Sequence, residues 1–269
     1  MRHSIELFIF VFWVQFFFSE GFTSRLIGGD VATPGSAKYH ASLQNLTGNH
    51  VCGGVIISRQ HVLTAAHCVA NAEPQYIKVV VGTTNLDDGG TEYDVSSIKV
   101  NENFNSKTRE NDIAVLQVYI PFDLNLSAII KLSDDELREG DIVKLTGFGA
   151  LQAYGESTRL MYVLHLPVFN QETCKYAMRL SRAVTEEMFC TFTQIGQGTC
   201  HGDSGGPLVK DNQLVGLVSW GIPCAIGFPD VHTRIAPYVP WIRNQIKRKL
   251  NIKYFIEPFE ENFSSFFIG

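Results

Sequence analysis

The feature that most limits how this chain can fold is the shortness of its apolar runs. From Leu26 to about Arg234 they last only a few residues, favour Val, Ile, Leu and Thr, and stop at Gly, Asn, Asp or Pro. HVLTAAH, YIKVVVG, YDVSSIKV, DIAVLQV, DIVKLTGFG, MYVLHLPVF and QLVGLVSW all have this form. Such runs, spaced by turn residues, predict antiparallel strands of a barrel or sandwich. One amphipathic helix is predicted over roughly 237–249, where Pro237 opens it and Tyr238, Trp241, Ile242 and Ile246 share a face. The fold class is therefore all-β with a terminal helix. With 269 residues, 45% of them hydrophobic, the chain can build one large core or two smaller ones. SDDELREGD (133–141) breaks the strand pattern midway and reads as a linker between two halves or as a surface loop.

The N-terminus reads as a secretory signal peptide, residues 1–21. MRHS carries positive charge, residues 7–18 are apolar, and Ser19 and Gly21 are small residues at the −3 and −1 positions of a cleavage site. That run is too short to span a bilayer as a stable helix, so a secreted, extracellular protein with no membrane partner is expected. In an oxidising compartment the even set of Cys52, Cys68, Cys174, Cys190, Cys200 and Cys224 reads as disulfides, with the pairing left open by spacing alone. None forms a CxxC pair, which disfavours structural zinc. A net charge of −5 gives no electrostatic case for nucleic acid. Sequons at Asn45, Asn125 and Asn262 are candidate glycosylation sites.

GDSGGP (202–207) sets a serine among glycines, which allow both its own backbone and a substrate to approach closely. The amides of Gly202 and Ser204 are candidates to hold an oxyanion. A serine hydroxyl is a weak nucleophile until a base takes its proton. His67, where an apolar run ends beside Cys68, is the candidate base. Asp112 opens the uncharged run DIAVLQV, and a carboxylate entering a core needs a buried partner. The order His67, Asp112, Ser204 is one of the known triad orders.

TAAHC, NDIAVL, GDSGGP and SWG together resemble the chymotrypsin/trypsin family of serine endopeptidases, over residues 26 to about 250, and FCTFTQIGQGTCHGDSGGPLV is similar to insect chymotrypsins. The resemblance implies two six-stranded antiparallel β-barrels, about 26–137 and 138–236, with the active site between them. It implies Ser204 as nucleophile, His67 as base and Asp112 as orienting acid. It also implies the bridges Cys52–Cys68, Cys174–Cys190 and Cys200–Cys224. The implied partners are protein or peptide substrates and protein protease inhibitors, acting on a monomer without a cofactor. SRLIGGD (24–30) resembles a zymogen junction. Residues 22–25 would be the activation peptide, removed by a trypsin-like protease after Arg25, and the new ammonium group of Leu26 would pair with Asp203. Leu26 stands where the family usually has Ile.

By the same resemblance, Gly198 lies where trypsin-like members keep an aspartate, and Thr199 adjoins it. Ser219, Trp220 and Gly221 would form a pocket wall and a substrate-pairing strand, with Gly221 leaving the pocket open. Large apolar side chains (Phe, Tyr, Leu) are expected before the scissile bond. GFPDVHTR departs from the usual Pro-Gly-Val-Tyr: Asp230 would enter the pocket from the opposite wall, with His232 two residues on facing the same side and partly neutralising it. Secondary cleavage after Arg or Lys follows, as in the similar collagenolytic proteases of crabs. The other course is that Asp230 and His232 point into a solvated network behind the pocket. His201 reads as a rim residue facing solvent. In the loop 82–94, Thr83 replaces an expected acidic ligand, so no metal is predicted. Residues 251–269 read as a flexible extension. A catalytically silent homologue acting as a binding module is the rival class, although all three triad residue types are retained. With no additional N-terminal module in the chain, digestion is favoured over a regulatory or venom role.

Overall fold

The computed structural model describes residues 29–222 and 224–247, so the expected signal and activation peptides and the C-terminal extension lie outside the described residues. The chain begins with β1 (Asp30–Val31) and then forms a closed barrel from β2 (His40–Gln44), β3 (His50–Ser58), β4 (His61–Thr64), β5 (Lys78–Val81), β6 (Thr91–Val100) and β7 (Ala114–Val118), in the order β2-β3-β4-β7-β6-β5. After β8 (Lys131–Leu132) comes a second ring of β9 (Ile142–Gly147), β10 (Tyr162–Phe169), β11 (Met188–Thr191), β12 (Pro207–Lys210), β13 (Gln213–Trp220) and β14 (Asp230–Arg234), closed by the β9–β10 pairing. Both barrels are antiparallel, and closure removes the free edges that a flat sheet would leave for aggregation. Two short strands from the first half join the second barrel: β1 pairs with β10, and β8 runs parallel to β13.

The predicted runs all contain strands. β10 keeps a period of two, with Tyr162, Leu164, Leu166 and Val168 buried and the residues between them more open. β2 is buried throughout: Ala41 and Leu43 face the core of the first barrel, and His40, Ser42 and Gln44 on the other side are buried in hydrogen bonds that include Thr146 and His50. Each barrel has its own apolar core, and a third cluster joins them: Val55, Leu63, Ile113 and Val115 from the first meet Leu217 and Ile235 from the second. The terminal helix α3 (Val239–Lys247) docks there through Val239 and Ile242, after a 3-10 turn carrying Pro237. Three disulfides pair Cys52–Cys68, Cys174–Cys190 and Cys200–Cys224.

Two helices were not read from the sequence. The run HVLTAAH leaves the strand at Thr64 and turns into α1 (Ala66–Val69), so His67 sits on a helical turn. α2 (Gln171–Met178) is capped by Asn170, whose side chain accepts the amide of Thr173. Among the described residues no helix is long and apolar enough to cross a membrane.

Candidate active site

The two barrels touch backbone to backbone where β3 meets the loop carrying Ser204, and the site grows from there. A Cβ added to Gly53 on β3 would lie 2.7 Å from the Cα of Gly206, so only glycine permits this approach. The amide of Gly53 donates to the carbonyl of Ser204 at 2.8 Å, and Thr64 Oγ1 donates to the carbonyl of Gly53 at 2.8 Å. The loop carrying Ser204 is thereby tied to the barrel carrying His67. Ser204 and His67 line one cleft of about 200 Å³.

Asp112 is fully buried and engaged on both oxygens. Oδ2 accepts His67 Nδ1–H at 2.7 Å and the Ser219 hydroxyl at 2.6 Å, and Oδ1 accepts the His67 amide at 2.8 Å. That amide belongs to the first turn of α1, where the helix itself supplies no acceptor. One carboxylate thus fixes the backbone, the ring and the tautomer of His67, leaving Nε2 free to accept a proton. Thr233 Oγ1 donates to the Asp112 carbonyl at 3.0 Å, anchoring it from β14. The sequence placed Ser219 in the substrate-pairing strand; its hydroxyl on Asp112 was not foreseen.

Gly202 has φ of +98°, and a Cβ there would lie 2.7 Å from Ser157 Oγ. Neither the Gly202 nor the Ser204 amide donates to another group among the described residues. The Gly202 peptide is held from outside the loop by His50, whose Nε2 donates to its carbonyl at 2.8 Å while Nδ1 accepts from Ser42 Oγ at 2.8 Å. Burial lowers the His50 pKa to about 4, so the ring stays neutral in this role. His50 was missed because its partner is 152 residues away, and HVCGG reads simply as a strand.

Asp203 turns inward. It accepts the Gly149 amide on Oδ1 and the Cys200 amide on Oδ2, both at 3.0 Å, and side chains at Gly147 or Gly149 would clash with it. Burial, with a smaller contribution from the charge of Asp230, raises its pKa to about 7. Among the described residues no cation pairs with it.

The floor of the cleft belongs to Asp230. Its Oδ2 stands 2.5 Å from where a Cβ on Gly198 would sit and accepts the Thr199 amide at 2.7 Å; Oδ1 lies 2.9 Å from a Cβ on Gly221. The two glycines make the room that this carboxylate fills. Burial raises its pKa to about 7, against the lowering by its Thr199 hydrogen bonds. His232 does not neutralise it. The ring lies behind the pocket, bonded through Nε2 to Thr191 Oγ1 at 2.8 Å and packed on Phe189, and burial lowers its pKa to about 3. The expectation failed because a fully buried histidine with no carboxylate bonded to it among the described residues is held neutral. Trp220 and Gly221 form the wall, and His201 is exposed at the rim. Thr83 Oγ1 turns inward to the carbonyl of Asn85.

Residues 26–242 match the family model described as Trypsin. The chain is similar to "Chymotrypsin-2" of Vespa crabro, 36% identical over 226 residues that cover 82% of this chain and 100% of that protein. It is similar to "Trypsin" of Simulium vittatum, 35% identical over 217 residues, 77% of this chain and 87% of that protein. Among solved structures it is similar to neuropsin, a serine protease expressed in the limbic system of mouse brain, with TM-score 0.75 and 28% identity, covering 81% of this chain and 99% of that one.

Proposed function

The chain belongs to the trypsin family and is a serine endopeptidase, and from that premise we propose that Ser204 is its nucleophile, His67 its general base and Asp112 the carboxylate that orients the base. The observation that carries this reading is the double grip of Asp112 on His67, at the amide and at Nδ1. Ser204 Oγ attacks the scissile carbonyl as His67 Nε2 takes its proton, and Asp112 stabilises the resulting imidazolium. The amides of Gly202 and Ser204 stabilise the oxyanion. The imidazolium then protonates the leaving amine. Water, deprotonated by the same ring, releases the acyl group from Ser204.

The preferred residue before the scissile bond is large and apolar: Gly198 and Gly221 bring no side chain of their own into the pocket, and the Asp230 carboxylate that fills the room beside them is engaged by the Thr199 amide. Asp230 adds secondary cleavage after Arg and Lys, which brings the enzyme towards broad, collagenolytic-type specificity. The names of the two insect relatives, one chymotrypsin and one trypsin, agree with a pocket of mixed character. A panel of matched anilides ending in Phe, Leu or Arg tests this. The account expects Phe or Leu first, with Arg within about a thousandfold of Phe, about 4 kcal/mol in barrier. A larger gap would remove the role of Asp230, and a preference for Arg would overturn the apolar assignment.

We further propose secretion as a zymogen, with residues 1–21 removed as signal peptide and 22–25 as activation peptide. Asp203, buried and with no cation partner among the described residues, supports an ion pair with the ammonium group of Leu26, fixing the Gly202–Ser204 backbone. Digestion of dietary protein is the duty proposed. N-terminal sequencing after trypsin treatment should read Leu-Ile-Gly-Gly.

A further inference from the structure

Beyond the pocket, the cleft is lined by two arginines, Arg109 from the loop before β7 and Arg182 from the loop between α2 and β11. Both are half-buried. Arg182 lies over the Trp220 ring with its guanidinium carbon 5.4 Å from the centroid, and its Nε donates to the Lys107 carbonyl at 3.1 Å. The loops from the two barrels therefore meet here. Arg109 is held with a left-handed φ of 65° by its amide bond to the Asn105 carbonyl at 2.8 Å, and its Nε is buried without a partner.

Neither arginine forms an ion pair among the described residues, although Arg159 and Arg243 do. Asp112, the acid that acts most on Arg109, is committed to His67 and Ser219. Arg182 also acts on Arg109 as a like charge, adding to burial in drawing Arg109 below the usual arginine range. Two guanidinium groups with no ion pair among the described residues face one cleft, and their planar forks match a carboxylate.

The position of that anion follows from strand pairing. A substrate laid antiparallel along Ser219–Gly221 puts the residue before the scissile bond over Gly198 and Asp230. Its preceding residues then run past Trp220 and Gly221. Arg182 stands on Trp220, so its charge meets the chain upstream of the cut. We propose that Arg109 and Arg182 form a subsite for an acidic side chain, Asp or Glu, two to four residues before the scissile bond. The enzyme then selects peptides that carry an acid upstream of the residue at the cut.

This rests on Ser204 as the reacting group but not on which residue fills the pocket. Acetyl-capped tetrapeptide anilides, all ending in whichever residue the enzyme cuts best, would carry Glu, Gln or Lys at each upstream position in turn. At one position Glu should exceed Gln by about tenfold in kcat/KM, with Lys below Gln, and the ratio should shrink as salt is raised. Substituting both Arg109→Gln and Arg182→Gln should bring the ratio to about one, while Arg→Lys at both positions should leave Glu above Gln at a reduced ratio, because the charge stays and the planar fork is lost. Equal rates for Glu and Gln at all three positions in the unaltered enzyme would overturn the subsite alone, as would a ratio that survives the double glutamine change. Failure to hydrolyse any peptide would overturn the catalytic assignment together with it.

Discussion

A carboxylate that is buried and only partly compensated changes its chemistry in a pH range where ordinary acids are silent. Asp230, held near 7, is mostly neutral at pH 6 and mostly charged at pH 8. Its pKa is raised, so the pocket floor gains its negative charge only as pH rises through about 7. The ratio of Arg to Phe cleavage should therefore climb between pH 6 and 8. His67 and Asp203 act on both substrates alike and cancel in that ratio. Asp230→Asn should flatten the profile and hold it at the low-pH level, and a ratio independent of pH in the unaltered enzyme would contradict the assignment. His50 makes a second prediction at this scale. His50→Ala frees the Gly202 carbonyl, so kcat should fall by about tenfold with KM little changed, as for loss of order in an oxyanion site. Asp112 and Ser204 were legible in the sequence because each breaks its surroundings, an acid opening an apolar run and a serine among glycines. His50 and Ser42 were not, since a polar pair closed within the fold leaves no local pattern.

At the scale of elements, strands were legible wherever alternation or a bounded apolar run survived, as in β10 and β13. The short helix α1 was not, because Ala, His, Cys and Val fit a strand equally well and only Asp112, 45 residues away, decides for the turn. α2 carried a readable signal in Asn170 followed by QETCKYAM, with Glu172 in the first turn, but the neighbouring strand runs masked it. The Cys200–Cys224 bridge joins the segment that carries Gly198 and Thr199 to the one that follows Gly221, closing a separation of 24 residues. Replacing both cysteines by serine should cost about 3 kcal/mol of stability from loop closure. It should also raise KM for the Phe substrate as the two pocket walls loosen. Thermal unfolding and steady-state kinetics read the two effects separately, and an unchanged KM would show that the pocket is held without the bridge.

The whole molecule works because two closed barrels, each stable around its own core, are pressed together tightly enough for backbones to touch at Gly53 and Gly206. The charged stretch 133–141, which reads as a linker or as a surface loop, falls between β8 and β9, but the crossing of β1 and β8 into the second barrel was not legible, because two-residue strands carry no periodicity. On the proposed assignment catalysis depends on this joint: His67 and Asp112 come from one side, Ser204 and Ser219 from the other. The most direct test is covalent labelling. After trypsin treatment has exposed Leu26, a fluorophosphonate probe should attach to Ser204, as read by mass spectrometry of the peptide that contains it. His67→Ala should slow the labelling by more than about a hundredfold, since the hydroxyl then lacks its base. Protein shown by sequencing to begin at Leu26 yet carrying no label on Ser204 would contradict the account.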